Sequence, residues 1–517
     1  MATNTPAQPL PSDTAFFGHP MGLMVCFTTE MWERFSFYGM KYLLLLYLTK
    51  YHLFSDTNGL EILGSYAALV YATPVIGGLL ADRYLGTRKA VIFGGILLVL
   101  GHLGMAVEGE QARMEAGAVV RDEAALQVFY FSLALIVVGV GFLKPNISTV
   151  VGRLYGRDDP RRDAGFTIFY MGINIGAFFA ALLCGYLGET YGWKYGFGAA
   201  GIGMLIGLVT FLAGQRHLQG HAEPPEPGRL GEKSPIGLNN ELTIYLGGLV
   251  GVAAIWQMLQ FHGAVGTLLN VLSLAVLVGL TWFITVKCDR EERQRMIVLI
   301  LLTLSTVVFW ALFEQSSGSM TLYADRVLNR NILGFEFTAS QFGSLNSFFI
   351  FLFAPIFAAM WTFLGRRGLE PSTPVKFALG IAQAGLGFGA LVWGAAHPQE
   401  SGLVAGYWII LAYLLHTTGE LSLSPVGLSA VTKLAVPSVV GVMMGTWFLA
   451  TAYSEFVAVQ LAKLAAIETV DGTVTDINLA LASYTELFSS LLYVGLGAGA
   501  LLLLLSPLLK KMMHGVH

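Results

Sequence analysis

Apolar runs of roughly twenty residues follow one another along the chain, separated by short polar or charged breaks. Each is long enough to cross a bilayer as an α-helix, which needs about 20 residues. Fourteen spans are predicted, near 22–50, 61–82, 89–107, 125–152, 164–188, 195–214, 241–261, 265–286, 297–323, 339–363, 375–396, 404–432, 438–466 and 483–509. A membrane β-barrel would show short alternating segments instead. The predicted class is an all-α, multi-pass membrane protein.

The polar breaks order these spans. The longest, 215–240, is rich in Pro, Gly, Glu and His and follows the sixth span. A tight turn at His262-Gly263 joins the next two spans, and six more follow. The layout predicts an N-terminal tail 1–21, a six-helix bundle 22–214, a linker 215–240, an inserted hairpin 241–286, a second bundle 287–509 and a tail 510–517. Paired bundles that rock about a midplane site are the usual plan of secondary transporters. Twenty of the thirty Lys and Arg fall in segments on the side of the termini, seven on the other side and three within spans. The positive-inside rule then places both termini in the cytoplasm of a cell membrane.

Composition narrows the function. The chain is 55% hydrophobic and 12% charged, against roughly 25% charged for soluble domains. Cys26, Cys184 and Cys288 make no disulfide framework. There is no Cys/His cluster of zinc spacing and no Walker-type loop, so no metal, cofactor or ATP drive is expected. No nucleophile–base–orienter set points to an enzyme. The first 20 residues hold no Lys or Arg, unlike a cleavable signal peptide. A monomer without a nucleic-acid partner is expected.

The candidate chemistry is charge inside the apolar spans. The first span carries Glu30, Glu33, Arg34 and Lys41, and at about 100° per residue these share one helical face with Phe37 and Tyr38. An ionised group at the bilayer centre costs at least ~2.5–3.5 kcal/mol, so such groups face a bundle interior or a wet cavity and usually mark an ion or substrate path. With the hairpin set aside, the first, fourth, seventh and tenth spans each carry charge: the first-span set, Lys144, Glu314 and Glu420. The cations lie in the first half only. Three cations and four carboxylates leave one negative charge, which one bound proton cancels. The set is either a proton-coupled site or a balanced structural network. Cations on one wall and carboxylates on the other suit a zwitterion. Asn174 and Asn346 add donors and acceptors. Tyr38, Tyr71, Trp310 and Trp447 are candidate pocket walls that also suit plain packing.

Weaker signals surround these. Gly77-Gly78 and Asp82-Arg83-Tyr84-Leu85-Gly86-Thr87-Arg88-Lys89 end the second span, as a conformational latch or a topogenic charge cluster. His416 precedes Glu420 by one turn, but it and His102 read first as packing residues. Pro145 and Pro425 are expected to kink their helices.

Five motifs in order carry a family resemblance. Glu30-x-x-Glu33-Arg34-Phe35-x-Phe37-Tyr38-Gly39 resembles the first-helix signature of the proton-dependent oligopeptide transporters. Gly-Phe-Leu-Lys144-Pro145-Asn146 and Phe166-Thr-Ile-Phe169-Tyr170-Met-Gly-Ile-Asn174-Ile-Gly176-Ala-Phe resemble those of helices 4 and 5. Phe309-Trp310-Ala-Leu-Phe-Glu314-Gln315 and Gly419-Glu420-Leu-Ser-Leu-Ser-Pro425 resemble those of helices 7 and 10. The Asp82–Lys89 loop resembles that of the wider major facilitator superfamily.

The resemblance implies a 14-helix bacterial variant that imports di- and tripeptides with protons. Glu30, Glu33, Arg34, Lys144 and Glu314 would then handle the proton, with Lys144 interacting with the first-helix carboxylates. Lys41 would pair with Glu314 and help hold the peptide carboxylate. Glu420, Asn174 and Asn346 would receive the amino group, and Tyr38, Tyr71, Trp310 and Trp447 would line the cavity. Phe37 stands where the family usually has Tyr, and Lys41 where it usually has Arg. The second span lacks the histidine of animal members. A same-fold carrier for nitrate, an organic anion or a drug is the alternative.

Overall fold

The computed structural model describes residues 18–156, 159–235, 237–470 and 472–515. Residues 1–17 of the expected tail 1–21, residues 516–517 of the tail 510–517, and Arg157 of the charge asymmetry lie outside the described residues. Among the described residues the fourteen long helices are α1 (Met21–Lys50), α2 (Asp56–Leu80), α3 (Gly86–Met105), α4 (Glu123–Arg153), α5 (Arg162–Tyr191), α6 (Trp193–Gly214), α7 (Asn240–Met258), α8 (His262–Val286), α9 (Arg290–Phe313), α10 (Ser344–Arg366), α11 (Thr373–Ala395), α12 (Tyr407–Leu434), α13 (Val440–Ala462) and α14 (Ile477–Met512). With an even number of crossings, the start of α1 and the end of α14 lie on one face, called the terminal face; the opposite is the far face.

Local chemistry sets where these helices begin. Ser55, Asp122, Asn239, Asp289 and Asp476 each accept a backbone N–H in the first turn of the helix they precede, which satisfies otherwise orphaned donors. At α9 this is a full capping box with Glu292. The expected ninth span began at 297, but α9 starts at Arg290 because its first turns are charged and capped, not apolar. Likewise α14 starts at Ile477 behind Asp476, before the expected 483. The ninth span was also expected to run unbroken to 323. Instead α9 stops at Phe313, a 3-10 turn spans Glu314–Ser317, and a short helix Ser319–Arg326 resumes beyond Gly318. The turn falls at Glu314-Gln315-Ser316-Ser317, where side chains compete for backbone groups: Ser317 Oγ donates to Glu314 O and Gln315 Nε2 to Ala311 O.

The first bundle packs α1 against α5 and α6, and α3 against α4 and α6; the second packs α11 against α12 and α14, and α9 against α13. The halves meet where α2 lies on α13 and α5 on α10. At the first seam a Cβ on Gly64 would stand 2.4 Å from Val459 Cγ2, so only glycine permits that approach. The hairpin bridges the halves: α7 packs on α4, while α8 touches α2, α9 and α13.

Between α2 and α3 a π-turn, Ala81–Leu85, leads to Gly86 at φ +70°, a conformation glycine adopts freely. Arg88, in the first turn of α3, donates to Glu223 of the linker at 2.6 and 2.9 Å, and Lys89 pairs with Glu241 at 2.6 Å. The hydrogen bonds from Arg88 hold the Glu223 carboxyl below its usual value. The linker is therefore docked on the first bundle.

Candidate substrate and ion site

The charged stripe of α1 divides into two clusters. Toward the terminal face, Arg34 donates through Nη2 to Glu33 Oε1 at 2.6 Å and through Nε to Glu33 Oε2. Glu30 Oε1 stands 3.4 Å from the same Nε, and the guanidinium lies 5.0 Å from the centre of the Phe37 ring. All three charged groups are buried. Arg34 is thus committed to Glu33, while Glu30 Oε2 has no hydrogen-bond partner among the described residues. Lys144 of α4 was expected to join these carboxylates. It makes no ion pair within 4 Å among the described residues and lies over Tyr71, with Nζ 4.7 Å from the ring centre.

Two turns further along α1, Lys41 reaches across to the second bundle. Its Nζ donates to Glu314 Oε2 at 2.8 Å and to Glu455 Oε1 at 3.0 Å. Glu455, on α13, is absent from the expected site. Glu455 carries the same sequence signal as the others, a carboxylate inside an apolar run, here the span 438–466. With it, three cations face five carboxylates, and the expected excess of one negative charge becomes two.

On α12, Glu420 Oε2 accepts from Asn346 Nδ2 at 2.9 Å, and Asn346 also donates to Thr417 Oγ1 at 3.1 Å. Asn174 does not join them. Its Nδ2 donates to Tyr170 O of its own helix at 3.1 Å. Tyr38 stacks on Tyr42, ring centres 6.0 Å apart, within electrostatic range of Lys41, Glu314 and Glu420. His416 packs against the Phe388 ring at 4.8 Å, and His102 is fully buried, as expected of packing residues.

Between the halves lies a cavity of about 450 Å³, within the roughly 300–1,000 Å³ of small-molecule sites. Glu30, Tyr71, Lys144, Trp310, Glu314 and Trp447 all line it. So six of the expected residues, drawn from both bundles, face one void. Other lining residues, among them Ser148, Phe166 and Ser424, sit in the terminal-face portions of their helices, so the cavity extends toward that face.

Ion pairs across the halves seal the far face. Arg326 donates to both oxygens of Asp56 at 2.6 Å, with both side chains almost fully buried. Lys50 meets Asp325 at 2.5 Å, Lys463 meets Glu61 at 2.6 Å, and Arg330 stands 3.7 Å from Glu189. These residues read in sequence only as loop charges, because each partner lies far away in the chain.

Comparison with known proteins places the chain. Residues 88–478 match the family model described as the POT family. The chain belongs to the POT family. It is 39% identical over 511 residues to the uncharacterized transporter YclF of Bacillus subtilis, covering 97% of this chain and 96% of that one. It is 34% identical to the dipeptide and tripeptide permease A of Erwinia pyrifoliae, covering 96% and 95%. A crystal structure of a peptide transporter POT in complex with sulfate superposes with a TM-score of 0.80 at 37% identity, covering 97% of both chains. The POT-family chain has the major facilitator fold of two six-helix bundles, here with an inserted two-helix hairpin, and is a multi-pass membrane protein.

Proposed function

We propose that this chain is a proton-coupled symporter that imports di- and tripeptides by alternating access, as a monomer, with both termini in the cytoplasm. Its relatives include a named dipeptide and tripeptide permease. The observation that carries the reading is an ion pair between the bundles at one cavity: Lys41 of the first bundle holds Glu314, which lines the cavity, and Glu455, both of the second, while Asn346 and Glu420 pair within the second bundle. A peptide is a zwitterion. Its carboxylate competes for the Lys41 ammonium, and its ammonium suits the Glu420–Asn346 pair. Lys144, with no ion-pair partner among the described residues, and Glu30, with an oxygen unpartnered among them, can exchange a proton or meet across the cavity. Glu33, held by Arg34, completes the proton-handling group on that wall.

In this reading the far face is the outside, and the conformation is the inward-facing one. Protonation from outside loosens the Lys41 pairs and lets peptide load; proton loss to the cytoplasm restores them. The cycle works because each pairing exists in one state and not the other. No bond of the peptide is broken, so the chain acts as a carrier and not as an enzyme.

The test is dialanine uptake into liposomes under an inward proton gradient, which Glu33→Gln is expected to abolish. Normal accumulation by that variant refutes the coupling role. A carrier for nitrate or an organic anion disagrees with Glu420, whose carboxylate repels anions. Nitrate uptake without peptide uptake would establish that alternative, and outward dye counterflow a drug carrier.

A further inference from the structure

Lys41 is held by two carboxylates, and only one of them belongs to the charge count read from the sequence. We propose that Glu455 is a second proton-carrying carboxylate of this site, so that each peptide enters with two protons. The inference rests on the proton-coupled peptide reading above.

The argument starts from the geometry at Nζ. An ammonium has three donors, and two are spent on Glu314 at 2.8 Å and Glu455 at 3.0 Å. All three side chains are at most 12% exposed. Charged and titratable groups around Glu455 come from α1, α2 and the turn after α9. They are Lys41 from α1, Glu314 from the turn after α9, and the phenols of Tyr66 and Tyr71 from α2. Lys41 is the one cation among them. Tyr66 Oη has no hydrogen-bond partner among the described residues.

When the peptide carboxylate takes Lys41, it leaves Glu314 and Glu455 facing each other without a cation. Two carboxylates sharing a buried site cannot both stay ionised, and an unpaired buried charge is strongly unfavourable. The first point calls for one proton on the pair, and the second, applied to the carboxylate still ionised and without a cation, calls for another. With Glu314 alone, one would suffice. The whole site gives the same number. Glu30 and Glu33 balance Arg34 and Lys144, the peptide carboxylate balances Lys41, and the peptide ammonium balances Glu420. Glu314 and Glu455 remain, and two protons from outside make the loaded site neutral. Both leave to the cytoplasm when the peptide departs and Lys41 re-pairs.

The ratio is read in liposomes as the peptide gradient that just stops net flux of dialanine. One pH unit at zero membrane potential holds about a tenfold gradient with one proton per peptide and about a hundredfold with two. The native protein is expected to hold the hundredfold gradient and Glu455→Gln the tenfold. Because this is an equilibrium ratio, a slower variant still reports it. Glu455→Asp, which keeps a titratable carboxylate, is expected to hold the hundredfold value. A native ratio of one overturns the inference and leaves proton-coupled peptide import standing, whereas absence of any proton-driven peptide accumulation overturns that earlier reading. A ratio of two in Glu455→Gln, or of one in Glu455→Asp, also overturns it. So does a Glu455→Gln protein that moves no peptide, since that outcome makes the residue a structural partner of Lys41.

Discussion

Removing the charge of Asp56 is expected to open the far face. Asp56 accepts two hydrogen bonds from Arg326 at 2.6 Å and one from the backbone N–H of Ile467 at 3.0 Å. In Asp56→Asn the buried guanidinium loses its counter-charge and one of the two acceptors at position 56, keeping the amide oxygen and Tyr484 Oη, at 3.0 Å. Breaking a buried pair from one side costs about 3–5 kcal/mol, because the remaining charge is left uncompensated. That cost falls on the closed conformation alone, since an open far face returns Arg326 to water. The equilibrium should therefore move toward the open state by roughly two to three and a half orders of magnitude. Spin labels at the exposed positions Asn58 and Leu464, on opposite halves of the far face, read this as a distance distribution. The native protein should give a short distance and Asp56→Asn a longer one. Replacing both partners together, Asp56→Leu with Arg326→Leu, should restore the short distance, because a buried pair exchanged for packed apolar groups is often neutral or stabilising. An unchanged distribution in Asp56→Asn refutes the reasoning, and so does a double variant that stays open.

Other outcomes follow from the same geometry. Glu420→Ala should weaken binding of dialanine roughly tenfold to a hundredfold, the ~1.5–3 kcal/mol of a charged hydrogen bond, and affect an N-acetylated peptide little; equal losses measured by competition would remove Glu420 from the amino-group role. Gly64→Ala places a methyl 2.4 Å from Val459 Cγ2 and should disfavour the closed seam by about 1–3 kcal/mol, lengthening the same spin-label distance; an unaltered distance would show that the seam yields. His52, in the far-face loop among Tyr47, Phe54 and Phe129, is lowered by burial to about 4. Its folded value lies below the unfolded ~6.5, so its contribution is complete above that pH and is lost as pH falls toward 4. The drop is about 3 kcal/mol at 1.36 kcal/mol per unit, and thermal unfolding of His52→Phe should lack this part of the acid sensitivity; an identical acid slope in the variant would contradict it.

The fold was legible because lipid demands long apolar helices, and fourteen runs of the right length left little freedom. What hydropathy missed were helix ends built from polar residues, such as the capped start of α9 and the break at Glu314. At the site, a charge inside an apolar run was again the useful signal. It marks Lys41, Glu314 and Glu420, and equally Glu455 in the span 438–466. Partner choice was not legible. Arg34 turns to its neighbour Glu33 rather than leaving it to Lys144, and Asn174 spends its amide on its own helix. Both outcomes depend on side-chain directions that spacing does not encode. The far-face pairs were equally hidden, since nothing local ties Asp56 to Arg326.

The break after α9 has a physical consequence for coupling. Glu314 opens the segment that ends in Asp325 and Arg326, so one short stretch touches Lys41 at one end and Lys50 and Asp56 at the other. Glu455 and Lys463 stand in the same relation along α13 and its terminal turn, touching Lys41 and Glu61. Lys41 and Lys50 themselves share α1. Three rigid segments therefore carry both a member of the cavity cluster and a member of the far-face seal. Coupling needs an element with two discrete arrangements that both sites bias. Releasing Lys41 from its two carboxylates frees two of these segments to tilt from α1 together, and the ion pairs at their far ends must then part. In the proposed cycle, a proton bound beside the peptide would thereby act on the far-face seal through covalent chain and packed helix.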